Sequence, residues 1–358
     1  MKNDVLLKNL LSQPLYEEIV RTTQRSVFAL EEGISDKVFL ITGANGFIAY
    51  YLVLTILNAN DDLNRNNRVV LLVRNAERAE KRFGKILARD DVSLLIQDVC
   101  DPILGIDRAD YIVHAASAAD AQHFNADPIG VFNSNVIGTE NVIRLAQQCQ
   151  CTSLVFISSF TVYGQGTDKV QYVDESFCGV APWDYNGACY PYGKRSAEFL
   201  CMTEAKKSGL PVKIIRPGFV YGASHQEDNR VYSEIIRCVS EDRPITLQSA
   251  GLLYRSMVYV TDVVTAVLAT LIHGVNGEAY NVAKEHISIR EFALKAAEAA
   301  QSANVFVQFA NEEDRMVDCS RNVFGAITTQ KIEEECGWKA CVELKDGILS
   351  AAQILSEK

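Results

Sequence analysis

The sequence predicts an α/β protein, a doubly wound parallel sheet with a smaller mixed α/β region after it. Short apolar runs alternate with helix-length segments from about residue 37 to 217. A glycine-bearing turn, Thr42-Gly43-Ala44-Asn45-Gly46-Phe47-Ile48-Ala49, follows the first run directly and opens a helix. From about residue 218 the rhythm breaks into mixed short elements.

Residues 1–35 precede the alternation. Leu6, Leu7, Leu10 and Leu11 recur at helical spacing, Pro14 interrupts, and Leu15, Ile19 and Val20 resume the stripe. This preface reads as two short amphipathic helices, packed on the main domain or on a partner subunit. It lacks the Lys/Arg-rich face of a helix that lies on a membrane. Strands are expected at 37–42, 68–73, 92–97, 111–116, 153–158 and 212–217. Helices are expected between them at 46–59, 76–88, 128–149 and 190–208. Continuous apolar strands of this kind belong to a parallel sheet covered on both faces. Beyond it, helices are expected near 230–240, 262–273 and 289–301. The chain thus divides into a helical preface (1–35), a dinucleotide-binding domain (36–217) and a substrate-binding region (218–358) lying over the carboxyl ends of the strands.

Composition narrows the functional classes. The 358 residues are 48% hydrophobic and carry a net charge of −10, which disfavours a general nucleic-acid binder. Ten cysteines occur without any CxxC pair and five histidines without ligand spacing, so reduced thiols and no metal site are expected. No run approaches the roughly 18 apolar residues that span a bilayer, and the N-terminus has no signal-peptide core. A cytoplasmic protein without membrane partners is the expectation.

The turn at 42–49 has the spacing G-x-x-G-x-x-A between a strand and a helix. Gly43 and Gly46 can let a diphosphate approach the backbone at a helix N-terminus, the signature of a Rossmann dinucleotide site. At the end of the second strand stands Val73-Arg74-Asn75, where an acidic residue would hold a ribose 2′-hydroxyl. Arg74 can pair with a 2′-phosphate, which favours NADP(H) over NAD; the competing reading is an exposed arginine at a helix start.

Tyr190-Pro191-Tyr192-Gly193-Lys194 places a tyrosine and a lysine four apart on one helical face. A tyrosine near pKa 10 is a poor acid–base at neutral pH unless a neighbouring ammonium lowers it. The phenol could then give or take a proton as hydride moves at the adjacent carbon. Ser158-Ser159, about thirty residues upstream at a strand end, offers a hydroxyl for the same substrate oxygen. Tyr192 and Tyr163 do not stand four before a lysine.

TGANGFIA, Asp98, HAAS (114–117), Asn135-Val136-Ile137-Gly138-Thr139, SSFTVYG (158–164), YPYGK and RPGFVYG (216–222) occur in that order. Together they resemble the extended short-chain dehydrogenase/reductase family, the NAD-dependent epimerase/dehydratases that modify nucleotide sugars. The resemblance implies a cofactor shell of Gly43, Asn45, Gly46, Phe47, Ile48, Arg74, Asp98, Val99, Ala115, Ala116, Ser117 and Pro217. It implies Ser159, Tyr190 and Lys194 as the catalytic set, with Tyr190 and Lys194 also touching cofactor and Asn135 supporting the active-site helix. Thr161, Arg255 and Asn281 are implied on the substrate, the last two at its diphosphate and nucleotide. Helices 128–149 and 190–208 resemble the pair through which relatives form a two-fold contact, so a homodimer is expected.

The chain also departs from the family pattern. Sugar 4,6-dehydratases resemble it but carry an Asp-Glu pair where Phe160 and Thr161 stand, and nucleotide-sugar decarboxylases carry Glu at the second position. Neither Phe160 nor Thr161 can protonate a leaving hydroxyl or remove a C5 proton. Phe219 stands where many relatives place an Asn on the substrate diphosphate. The reading is redox at C4 of a nucleoside-diphosphate sugar, by a 4-keto reductase or a 4-epimerase. Its rivals are a dehydratase or decarboxylase that recruits an acid from Asp184 or Asp174-Glu175, and a non-catalytic dinucleotide sensor.

Overall fold

The computed structural model describes residues 5–26, 34–117, 119, 121–164, 172–179, 186–225, 228–310 and 325–357. Seven short apolar segments pair as strands: β1 Val38–Thr42, β2 Arg68–Val73, β3 Val92–Ile96, β4 Tyr111–His114, β5 Ser153–Ile157, β6 Val212–Pro217 and β7 Ala279–Val282. They form one sheet in the order β7-β6-β5-β4-β1-β2-β3, every neighbouring pair parallel. The order reverses beside β1, which opens a crevice between the carboxyl ends of β1 and β4.

Because both faces are covered, the central strands are apolar throughout; Leu40 and Ile41 are adjacent in sequence, point to opposite faces and are both buried. On one face lies the helix Phe47–Leu63, buried from Ala49 to Ala59. It is apolar nearly all round because it lies between the sheet and two further helices, Gln13–Arg25 and Val260–His273. On the other face the helices Pro128–Gln148 and Cys189–Ser208 pack together through Val142, Ile143, Ala146, Ala197 and Cys201. Asp127 caps the first of them by accepting from Gly130 N at 2.8 Å, and Pro128 takes the first helical position, where its missing N–H costs nothing.

The preface forms two helices, Leu7–Leu10 and Gln13–Arg25, docked on the main body. Pro14 lies in the first turn of the second helix, so it starts that helix rather than interrupting a stripe. Ser350 donates to the buried Glu18 carboxylate at 2.8 Å, and Arg25 reaches Asp262 at 3.1 Å and Thr261 at 2.8 Å.

Several boundaries move. The division expected at 217/218 is not an edge of the sheet, because β7 and the covering helix Val260–His273 both come from the later part of the chain. The segment 76–88 splits into a helix Ala76–Phe83 and a 3-10 turn Gly84–Ala88, where Gly84 takes φ of +50°. Past β6, strands Phe219–Tyr221, Tyr254–Tyr259 and Glu285–Ser288 form a small sheet of their own. Among the described residues no helix is long and apolar enough to cross a membrane.

Candidate active site

The turn after β1 is shaped by close approach. Gly43 has φ of +64°, and a Cβ there would lie 2.6 Å from Ala116 Cα. Only glycine fits. Gly46 donates to Gly43 O at 2.8 Å and becomes the N-cap of helix Phe47–Leu63 without a side-chain cap. The first N–H groups of that helix are therefore not capped by their own turn, and they carry the positive end of the helix dipole. Asn45 donates from Nδ2 to Asn75 O at 3.3 Å, while its buried Oδ1 accepts nothing from the described residues. A bare turn with an unsatisfied buried amide oxygen fits a dinucleotide diphosphate and its hydroxyls. Phe47 and Ile48, both half-buried, form the first turn beneath it.

Around this turn stand the ends of the neighbouring strands. Arg74, past β2, is 75% exposed, with Nη1 3.8 Å from Asp98 Oδ2 past β3. Val99 is buried under the helix Pro128–Gln148; a Cβ on Gly138 would lie 2.8 Å from Val99 Cγ1. Ala115, Ala116 and Ser117, all half-buried, follow β4, and Pro217 ends β6. His114 links these pieces from beneath. Its ring nitrogens meet Thr42 Oγ1 at 2.7 Å and Thr139 Oγ1 at 3.1 Å, and Thr139 donates on to Asn135 O at 2.5 Å. Burial pushes His114 down to about 3, so this chain of bonds is neutral and structural.

Tyr190 and Lys194 occupy successive turns of the helix Cys189–Ser208. Gly193 between them sits against Asn135, whose Cβ would be 3.1 Å from a Cβ at 193. Asn135 is thus placed to support this helix, and its Oδ1 is buried without a partner among the described residues. Burial pushes the Tyr190 phenol up to about 12, opposed by a hydrogen bond with Ser159 and by the Arg230 guanidinium. Lys194 Nζ lies 5.7 Å from the Tyr190 ring centroid and donates to Ile157 O at 2.7 Å. Burial lowers its pKa to about 7. Lys194 is expected to tune Tyr190; beside it, Ser159 and Arg230 oppose the rise of the phenol. Ser159 Oγ also accepts from Thr161, from N at 3.2 Å and from Oγ1 at 3.1 Å.

Two residues outside the expected set, Phe124 and Arg230, join the site. Phe124 lies over Tyr190 with ring centroids 5.3 Å apart. Arg230 is paired with Asp228 at 2.5 Å and lies over the Tyr232 ring at 5.0 Å. Both reach the site from segments far from the YxxxK motif, and no local spacing marks them. Phe160 and Phe219, the two departures noted above, touch each other at 4.7 Å between centroids. Arg255, half-buried, lies over the Phe219 ring at 4.9 Å and donates to Tyr254 O at 3.1 Å.

The remaining expected residues are placed as follows. Asn281, on β7, is fully buried: its Oδ1 accepts from Tyr163 at 2.6 Å and its Nδ2 donates to Val173 O at 3.3 Å. Its amide joins the sheet edge to Tyr163 and Val173. Glu175 accepts from Asn281 N at 2.7 Å and Asp174 accepts from Ser176 Oγ at 2.6 Å, so both rival acids are engaged locally. Asp184 lies outside the described residues. Tyr163, which does not stand four before a lysine, also accepts from Arg216 at 3.0 Å.

The model of the NAD dependent epimerase/dehydratase family matches residues 39–283. UDP-glucuronic acid decarboxylase 1 of Danio rerio is 27% identical over 328 residues, covering 90% of this chain and 73% of its own length. The dTDP-D-glucose 4,6-dehydratase of Homo sapiens is 24% identical, covering 90% of each chain. The UDP-glucuronic acid 4-epimerase of Bacillus cereus, solved with UDP-glucuronic acid and NAD, superposes with a TM-score of 0.72 at 20% identity, covering 89% of this chain and 99% of that one. With a Rossmann sheet, a glycine turn at its switch point and an ordered run of motifs, the chain belongs to the NAD-dependent epimerase/dehydratase family.

Proposed function

We propose that the protein carries out oxidoreduction at C4 of a nucleoside-diphosphate sugar, as a 4-keto-sugar reductase or a 4-epimerase. The observation that carries this reading is the convergence of Ser159, Tyr190 and Lys194, linked through Arg230 to Phe47 of the glycine turn, with Phe160 and Thr161 where an eliminating enzyme needs acids. A bound nicotinamide supplies the carbon that takes or returns hydride. Ser159 holds the sugar oxygen, and Tyr190 gives it a proton in reduction or removes one in oxidation. Lys194 fixes the helix turn behind Tyr190 and offers its ammonium towards the cofactor ribose. Arg255 is the proposed contact for the substrate diphosphate, and Thr161 steadies Ser159.

Arg74 supports NADP(H), since its exposed guanidinium can take a 2′-phosphate by two parallel hydrogen bonds. A second reading, a 4-epimerase that retains NAD, is favoured by the Asp98 carboxylate 3.8 Å away, which offsets that cation. Water elimination or decarboxylation is disfavoured by the local engagement of Asp174 and Glu175. A homodimer is supported by Ile137 and Phe199, exposed on the paired helices Pro128–Gln148 and Cys189–Ser208.

Incubation with UDP- and dTDP-hexoses, their 4-keto forms and each reduced cofactor tests the reading. Net oxidation of NADPH with formation of a 4-hydroxyl identifies a reductase. Interconversion of C4 epimers without net cofactor change identifies an epimerase. A 4-keto-6-deoxy or decarboxylated product, or cofactor binding without any turnover, overturns both.

A further inference from the structure

We propose that His114 is a positioning residue for the acid–base: a one-way chain of hydrogen bonds through its ring ties the strand end under the glycine turn to the helix turn that carries Tyr190 and Lys194. The chemistry that this placement serves rests on the C4 reading above. His114 ends β4 and is 1% exposed. Its Nδ1 lies 2.7 Å from Thr42 Oγ1 on β1, and its Nε2 lies 3.1 Å from Thr139 Oγ1 on the helix Pro128–Gln148. Thr139 donates its one hydroxyl proton to Asn135 O, so its oxygen can only accept from the ring. Nε2 therefore carries the ring proton. Burial keeps the ring neutral at ordinary pH, which leaves Nδ1 bare to accept from the Thr42 hydroxyl. Thr42 Oγ1 accepts in turn from Ala116 N at 3.2 Å. Every bond runs the same way, from Ala116 through Thr42, His114 and Thr139 to Asn135, and bonds so aligned strengthen one another.

Both ends of the chain stand against the site. At the first, Ala116 lies so close under the turn that a Cβ on Gly43 would be 2.6 Å from its Cα. At the second, Asn135 Cβ lies 3.1 Å from where a Cβ on Gly193 would stand, between Tyr190 and Lys194. The ring has another route to the same helix. Its centroid is 5.4 Å from that of Phe156, and Lys194 Nζ lies over the Phe156 ring at 4.6 Å. A neutral imidazole suits the middle of such a chain because it accepts on one side and donates on the other. It handles neither substrate nor proton. It sets where the Tyr190 phenol stands relative to a cofactor on the glycine turn, and a displacement of about 1 Å in a reacting group costs about a hundredfold in rate.

The test uses Thr139→Val, which removes the hydroxyl at nearly constant volume, and Thr139→Ser, which keeps it. In the wild type, ¹⁵N spectra should show His114 protonated on Nε2 and bare on Nδ1; a ring protonated on Nδ1 reverses the chain and overturns the proposal. In Thr139→Val the ¹³Cζ signal of Tyr190, assigned by its loss in Tyr190→Phe, should leave its wild-type position. Single-turnover hydride transfer at saturating cofactor should slow by about tenfold to a hundredfold. Thr139→Ser should restore both. An unmoved Tyr190 signal or a wild-type rate in a folded Thr139→Val, or equal losses in the two variants, overturns the positioning role and leaves C4 chemistry standing. A wild type that transfers hydride to no 4-keto nucleotide sugar overturns the C4 reading instead, and the ¹⁵N and ¹³Cζ signals then decide whether His114 places the phenol.

Discussion

Lys194 donates from Nζ to the carbonyl oxygen of Ile157 at 2.7 Å, one helical turn beyond Tyr190 and out of contact with water. Burial pushes the ammonium down to about 7, with Glu198 on the next turn pulling the other way. A lysine whose folded pKa is depressed costs stability fully below that pKa. The cost is relieved as pH rises from about 7 towards the ordinary lysine range, because there the unfolded chain holds a proton that the folded one has released. Lys194→Met should therefore be more stable than wild type at low pH, with the gap closing at alkaline pH. Urea midpoints across that window check this; parallel curves for the two proteins would contradict it.

The Arg74 guanidinium stands at the end of β2, 3.8 Å from Asp98. Charge-assisted hydrogen bonds to a 2′-phosphate contribute roughly 1.5–3 kcal/mol each, and exposure of this side chain places the gain at the low end. Wild type should favour NADPH by about tenfold, and Arg74→Asp should reverse that order in direct titrations of both cofactors. Tightly retained NAD with no response to NADPH would leave Arg74 a surface residue and shift the reading to a 4-epimerase.

Phe199 is 66% exposed and Ile137 39% exposed, on two helices that pack side by side. Apolar groups of this size gain about 1.5–3 kcal/mol each on burial, and a two-fold contact counts each residue twice. Phe199→Glu should convert a dimer to a monomer in light scattering at micromolar concentration, without loss of folded structure. A monomeric wild type at that concentration would contradict the assembly.

The strands buried on both faces were legible in the sequence because they admit almost nothing but apolar residues. β7 was not. It is four residues long, and its Asn281 reads as a binding residue until its amide is found bonded to Tyr163 and Val173. The glycine turn and the Tyr190–Lys194 spacing were visible because one helix or one turn sets their geometry. Phe124, Arg230 and the contact of Phe160 with Phe219 join residues brought together by the fold alone, and no periodicity encodes such meetings. The electrostatics were the least legible part. Burial of the Lys194 ammonium and the approach of the Arg230 guanidinium to Tyr190 come from the fold, and no motif marks them.

Tyr190 carries the proposed chemistry, and removing only its hydroxyl tests it most directly. Tyr190→Phe leaves the ring under Phe124 and the glycine turn intact, so cofactor affinity should stay at the wild-type level. A positioned acid–base contributes about 10²–10⁴ in rate, so single-turnover hydride transfer between a 4-keto nucleotide sugar and the reduced nicotinamide should slow by that factor. Tyr192→Phe should change it far less. Wild-type rates of hydride transfer in a folded, cofactor-bound Tyr190→Phe would contradict the assignment of Tyr190 as the acid–base.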